Sequence, residues 1–145
     1  MTATFGEMTM FGSPSKMTPQ AEAAYLIKEI QDTRTAYDNA TVDKWRAQHL
    51  STIGLRLSAL IRAARKAIDT GLASSRTTQD SDLCDNLEAR AGQYLNTAAR
   101  VSAMLEHEWP RDIQQEIDTQ TDELIAAADV MLSELGAVVA RYPAL

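Results

Sequence analysis

The stretch from residue 50 to residue 67 constrains the fold more than any other part of this sequence. Its apolar residues recur at alternating intervals of three and four, without a break: Leu50, Ile53, Leu57, Leu60, Ala64 and Ala67. On an α-helix this spacing forms one narrow apolar stripe, which packs against a neighbouring helix at a shallow angle. We therefore predict a long helix here, around which the rest of the chain is organised.

Three further segments have apolar residues at helical spacing and predict the helices that cover this stripe. The four predicted helices lie at about 19–38, 42–69, from 77 to the Trp109-Pro110 pair, and 110–141. Because their connections are short, neighbouring helices are expected to run antiparallel. We predict an all-α fold, an antiparallel four-helix bundle of three long helices and one shorter one over residues 18–145, preceded by an extended N-terminal arm at residues 1–17.

Local signals predict how some of these helices begin and end. Gly71 follows the second helix and is predicted to take the left-handed conformation that often ends helices. Thr77 and Asp80 have the spacing of a capping box at the start of the third helix. Gly54 lies inside the second helix, where glycine costs about 1 kcal/mol relative to alanine. We expect a close backbone contact to compensate for that cost.

The sequence lacks residues that several kinds of chemistry need. One cysteine, Cys84, cannot form an intramolecular disulfide or a cysteine-cluster metal site, and its place on the stripe of the third helix predicts a core residue. His49 and His107 follow Arg46 and Met104 by three residues, where di-iron bundles have glutamate. We expect no cofactor, no metal site and no enzymatic activity.

The sequence also predicts where the protein acts. No run of about 18 apolar residues is present, so we predict no membrane span. The first ten residues lack the basic start and the apolar middle of a secretory signal. We expect the protein to be made and used in the cytoplasm, or in a particle such as a virion that is assembled there.

The charges are distributed unevenly along the chain. The net charge of −6 argues against nonspecific binding to nucleic acid or to an anionic membrane. Residues 41–69 contain six basic and two acidic residues, whereas residues 106–123 contain seven acidic residues and one basic residue. Either the basic and the acidic helix lie side by side with solvated faces, or one of these surfaces binds a partner.

The predicted N-terminal arm combines helix-breaking residues with apolar ones. Gly6, Gly12 and Pro14 interrupt any helical period. The side chains that we predict to bind a partner are Phe5, Met8, Met10 and Phe11. Methionine is unbranched and adaptable, which suits a docking surface. The arm is expected to dock on a neighbouring protein or to pack back on its own bundle, and the sequence leaves both open.

The segment Gln48-His49-Leu50-Ser51-Thr52-Ile53-Gly54 resembles in outline the region around the phospho-accepting histidine of histidine phosphotransfer domains. Those domains are acidic four-helix bundles of about this size. They usually have a lysine and then a glycine shortly after the histidine, whereas here Ser51 and Thr52 stand in this region and the glycine comes later. The resemblance implies a phosphorelay function through His49; the other interpretation is a histidine packed beside Trp45.

The function that we expect from the sequence is non-enzymatic assembly or interaction with other proteins. The fourth helix has a stripe wider than one contact needs, through Ile113, Ile125, Leu132 and Val139. With the apolar arm, this width is typical of a homo-oligomer or of a subunit in a larger assembly. A bacteriophage virion component, such as a connector, tail or internal protein, is one concrete form. A small acidic inhibitor that binds a basic protein surface is a second class.

Overall fold

The computed structural model describes residues 17–145 of the chain, which form four α-helices. The helices are α1 (Pro19–Asn39), α2 (Asp43–Thr70), α3 (Thr77–Leu105) and α4 (Arg111–Ala140). The predicted all-α bundle is confirmed, with one helix of 21 residues and three of 28, 29 and 30 residues. The predicted partner-binding side chains of the arm, Phe5, Met8, Met10 and Phe11, lie outside the described residues.

Helix α2 lies at the centre of the bundle. It packs along both α1 and α3 and also against α4, whereas α1 has few contacts with α4. All six side chains of the predicted stripe on α2 are buried, with at most 1% of their surface exposed. In cross-section the bundle is therefore not a square: α2 and α4, at opposite corners, are close enough to touch.

The extra apolar width of α4 is mostly covered by the bundle itself. Ile125 is buried, and Leu132 and Val139 are partly buried against the core. Ile113 is exposed because it lies in the first turn of α4, near the end of the bundle. Three of the four side chains therefore need no outside partner, and using their width as support for a larger assembly was wrong.

Gly54 is the position where α2 and α3 come closest. A Cβ atom at this position would lie 2.6 Å from Cδ2 of Leu95 and 2.7 Å from Cε1 of Tyr94. The Tyr94 ring has little freedom to withdraw, since its hydroxyl donates a 2.7 Å hydrogen bond to the Leu50 carbonyl. The predicted close contact is confirmed, and it explains why glycine is present inside a long helix.

We expect Gly54→Ala to lower the free energy of unfolding. Overpacking at the Tyr94 ring costs about 1–3 kcal/mol, and the higher helix propensity of alanine offsets about 1 kcal/mol of it. The matched control is Gly92→Ala in α3, where a Cβ atom would meet no other atom within 4 Å. That variant should be more stable than the wild type by up to about 1 kcal/mol. Urea unfolding measures both, and equal stabilisation of the two variants would contradict the close contact.

The C-terminal residues are fastened to the connection between α2 and α3. Gly71 is in an extended conformation, with φ −87° and ψ −177°, and forms an antiparallel bridge with Ala144. The backbone N–H of Leu72 donates to the Pro143 carbonyl at 3.3 Å. The predicted left-handed conformation of Gly71 was therefore wrong. Glycine is needed for space instead, because a Cβ atom would lie 2.7 Å from the Ala67 carbonyl oxygen.

The buried carboxylate of Asp80 strengthens this attachment. We call the three residues Asp80, Arg141 and Tyr142 the C-terminal clamp. Asp80, only 1% exposed, accepts hydrogen bonds from Arg141 at 2.6 and 3.0 Å and from the Tyr142 hydroxyl at 2.8 Å. The capping box predicted from Thr77 and Asp80 was wrong, since Thr77 is already inside α3 and Asp80 binds the C-cap residue of α4, Arg141, and the residue after it, Tyr142.

The Trp109-Pro110 pair separates α3 from α4, as the sequence predicts. The indole Nε1 of Trp109 donates a 2.7 Å hydrogen bond to the Met104 carbonyl, which is one of the last carbonyls of α3 that lack a partner within the helix. Pro110 is the residue directly before α4. Within residues 17–145, no helix combines the length and the apolar character that crossing a membrane requires.

Candidate interaction surfaces

Half of the basic residues of α2 are paired within the molecule. The ion pairs that they form are Arg46–Asp43, Arg56–Glu29, Arg65–Asp85 and Arg65–Glu88. These groups are partly exposed, so each pair contributes at most about 1 kcal/mol. Although α2 does lie beside α4, its paired arginines reach carboxylates of α1, α2 and α3. These ion pairs therefore do not neutralise the basic residues of α2 with the acidic residues of α4.

The other three basic residues of α2 lie on its outer side, on a surface that we call the basic ridge: Lys44, Gln48, Leu55, Arg62 and Lys66. Intervals of four and seven residues put all five on one side of the helix, and all five are exposed. None of the three charges belongs to an ion pair among residues 17–145. Leu55, in the middle, is 64% exposed. This ridge is a cationic surface with an apolar centre.

Helix α4 has the opposite charge. Between Arg111 and Arg141 it has seven acidic residues and no basic residue. Two of the acids are paired, Asp129 with Arg34 and Glu134 with Arg90. The remaining five form no ion pair in the described part of the chain: Asp112, Glu116, Asp118, Asp122 and Glu123. The acidic character of α4 is thus largely uncompensated by the bundle.

Three of these acids adjoin exposed apolar residues on a surface that we call the acidic ridge: Glu116, Asp122, Glu123, Ala126 and Val130. All five are exposed, and Val130 is exposed to 51%. Because α2 and α4 turn their buried faces towards the same core and touch there, their outer sides face away from each other. The molecule therefore presents opposite charges on opposite sides, each beside an exposed aliphatic side chain.

A further group of exposed apolar side chains lies at one end of the bundle, where the α1–α2 and α3–α4 connections meet: Val42, Trp109 and Ile113. An open cavity of about 530 Å³ lies between the start of α2 and the end of α3. Its lining is Asp43, Lys44, Ala47, Leu105 and Glu106. These walls combine apolar side chains with charges of both signs.

His49 lies in a shallow groove of about 360 Å³ between α1 and α2. Trp45 lines the same groove, as the packed-histidine interpretation predicts, together with Arg56, which donates a 2.7 Å hydrogen bond to Thr33. Gly54 does not belong to this groove, because it faces α3. His49 and Gly54, which both belong to the segment that resembles a phosphotransfer domain, therefore lie on different sides of α2.

We expect His49 to remain unphosphorylated. Incubation of the protein with acetyl phosphate, or with a histidine kinase as phosphodonor, should leave the mass unchanged. The matched control is His49→Gln, which removes the imidazole from the same groove. Acid-labile phosphate on the wild type that is absent from this variant would contradict the packed-histidine interpretation and favour a phosphorelay function.

Cys84 is fully buried, as the sequence predicts, and its burial raises the pKa of the thiol. A buried, protonated thiol is a poor nucleophile. Among residues 17–145 there is no group of three or more His, Cys, Asp and Glu side chains with a geometry that would hold a metal ion.

From the sequence we predicted partner-binding residues in the arm, which lie outside the described residues, and did not identify the residues of the two ridges. A signal for Leu55 was present, because it stands two residues before Leu57 and so cannot lie on the same stripe. Val130 is likewise adjacent to Met131, which is buried. An apolar residue on the outer side of an amphipathic helix is visible once the buried side has been assigned.

Comparisons with models of protein families, with curated proteins and with solved structures give no match to this chain.

Proposed function

We propose that this protein is a non-enzymatic subunit that binds other proteins as part of an assembly. The observation that carries the proposal is the separation of unpaired charge onto two sides of the bundle, each side with an exposed aliphatic residue. Exposed charges alone are ordinary on soluble proteins. Their combination with Leu55 and Val130 is a better match for interfaces, where apolar contacts are surrounded by polar groups.

The apolar N-terminal arm belongs to the same proposal. Phe5, Met8, Met10 and Phe11 would bind a neighbouring protein, since apolar surface left in water costs about 25 cal/mol per Å². A bacteriophage virion component is one concrete form of such a subunit. Its place would be the cytoplasm or a particle assembled there.

Deletion of residues 1–17 tests the contribution of the arm. We expect the helix content per residue and the thermal midpoint to stay close to those of the full chain, while self-association or partner binding weakens. Circular dichroism and light scattering measure these quantities. A midpoint lowered by several degrees at unchanged mass in solution would show that the arm is a strap across its own core, and it would remove the arm from the proposal.

The mass of the full chain in solution tests the proposed function itself. An assembly subunit should form rings or larger oligomers whose mean mass increases with protein concentration. Light scattering after size-exclusion chromatography and sedimentation velocity both measure this. A mass that stays at 15.9 kDa at every concentration would contradict self-assembly.

A second candidate function is favoured by the five unpaired acids of α4. An acidic inhibitor would use them to cover a basic surface on another protein, and complementary charge would accelerate the encounter. Such a protein should be a monomer or dimer on its own and form a complex of fixed stoichiometry with its target. Mass in solution therefore distinguishes the two candidates.

A further inference from the structure

We propose that the partner of the basic ridge is the acidic ridge of a second copy of this chain. The inference rests on the proposed function and names the surfaces that would carry it. The basic ridge has three cations without an ion pair in residues 17–145, and the acidic ridge has three such carboxylates. Asp69, exposed and seven residues after Arg62, lies on the same side of α2 and leaves the basic ridge with a net charge of +2, whereas the acidic ridge has −3. Each ridge therefore repels its own kind and attracts the other.

The spacing of residues brings more cations of the basic ridge near carboxylates when the two helices run antiparallel than when they run parallel. Leu55 and Val130 are the exposed aliphatic residues of the ridges and are expected to meet. In an antiparallel contact, Arg62 lies seven residues after Leu55, and Glu123 lies seven residues before Val130. At 1.5 Å per residue, both are about 10.5 Å from the apolar contact and therefore come opposite each other.

The next pair of charges follows in the same register. Lys66 lies eleven residues after Leu55 and comes opposite Thr119, within one turn of Glu116 and of Asp122. Asp69, fourteen residues after Leu55, comes opposite Glu116 and weakens this end of the contact. In a parallel contact, by contrast, Arg62 would come opposite Ala137, and Lys44, opposite Thr119, would be the one cation of the basic ridge near unpaired carboxylates. In the antiparallel contact Lys44 comes opposite Arg141 instead. In either orientation Ala126 lies one turn from Val130, and its small side chain lets the two helices approach.

The position of the ridges determines what kind of association follows. Because the two ridges lie on opposite sides of the molecule, one copy can bind two neighbours at the same time. The contact joins different surfaces of the two partners, so association continues into a ring or an open chain instead of stopping at a symmetric dimer. One helix packed on one helix is smaller than a standard interface of about 1,600 Å², so the association should depend strongly on concentration.

Reciprocal charge reversal tests this contact on the full chain. In one variant, Arg62→Glu and Lys66→Glu make the basic ridge acidic; in the other, Asp122→Lys and Glu123→Lys make the acidic ridge basic. Each variant alone should self-associate about tenfold more weakly or worse than the wild type, since attraction becomes repulsion. A mixture of the two should recover association, because each reversed ridge then meets a complementary one.

The controls separate a specific contact from an effect of net charge. Lys28→Glu with Arg76→Glu makes the same change in charge as Arg62→Glu with Lys66→Glu, but outside both ridges, and should leave self-association near the wild-type level. Raising the salt concentration from about 0.1 M to about 1 M shortens the screening length from about 10 Å to about 3 Å and should weaken association of the wild type. Circular dichroism verifies that every variant is folded.

The other possible outcomes of these experiments would contradict the ridge contact, and one of them would also contradict self-assembly. Oligomers that persist in both charge-reversal variants, or a mixture that fails to recover association, would overturn the ridge contact and leave the proposed function in place. Oligomers that persist in these variants but disappear when residues 1–17 are deleted would assign the contact to the arm instead. A wild type that is monomeric at every concentration would overturn both the contact and self-assembly.

Discussion

Leu57→Ala should lower the free energy of unfolding by about 2–5 kcal/mol. Leu57 is fully buried at the middle of α2, the helix that contacts all three others, so neighbouring side chains have little room to close the cavity. Urea unfolding of the variant and the wild type measures the difference, and the midpoint should fall without a large change in slope.

Leu55→Ala is the matched control for this prediction. It removes the same atoms two residues away on the same helix, but from a side chain that is 64% exposed. Its stability should change by no more than about 0.5 kcal/mol, as is usual for surface substitutions. If the two variants lost the same stability, the assignment of the buried and outer sides of α2 would be wrong. Val101→Ala in α3, also fully buried, should likewise destabilise the bundle.

The second large effect is expected at the C-terminal clamp. Asp80→Ala leaves the Arg141 guanidinium and the buried Tyr142 hydroxyl without their shared acceptor, and hydrogen bonds to a charged group contribute about 1.5–3 kcal/mol. Because Arg141 is partly exposed and regains water, we expect a loss at the lower end of this range. The control is Asp82→Ala, at an exposed position of the same helix, which should have little effect.

The contribution of the clamp should also depend on pH. The hydrogen bonds from Arg141 hold the pKa of Asp80 below its usual value, with a smaller contribution from the one that Tyr142 donates, although burial acts in the opposite direction. The usual value is about 3.9 in an unfolded chain. The stabilisation that the Asp80 charge provides is therefore complete above the pKa of the unfolded state. It is lost as the pH falls through the lowered pKa of the folded state. The difference in thermal midpoint between wild type and Asp80→Asn should narrow on acidification below about pH 4. A constant difference between pH 6 and pH 2 would contradict the role of the carboxylate charge.

The buried sides of the helices could be predicted from the sequence because burial along a helix has to repeat every three or four residues. The ends of the helices could not be predicted equally well. Gly71 and Thr77 match local rules for helix ends, but those rules consider only neighbours in sequence. Here Tyr142 and Ala144, about seventy residues later, take the contacts and override the local preference.

The candidate surfaces were only partly visible for a related reason. The excess of basic residues in α2 and of acidic residues in α4 can be counted in the sequence. Which of them remain unpaired depends on the neighbours of each helix: Arg56 faces Glu29 of α1, whereas Arg62, six residues later, faces outward. That distinction requires the packing of α1 against α2, which periodicity alone does not give.

The clamp also sets an order of events while the chain is being made. Asp80 cannot pair with Arg141 until that residue has been translated, 61 residues later. This takes roughly 3–12 s at about 5–20 residues per second. During this interval the Asp80 carboxylate at the start of α3 lacks the Arg141 guanidinium with which it pairs in the folded bundle. The bundle is therefore fastened only after α4 has been synthesised and has docked, so that a nascent chain interrupted before this point remains open to proteases.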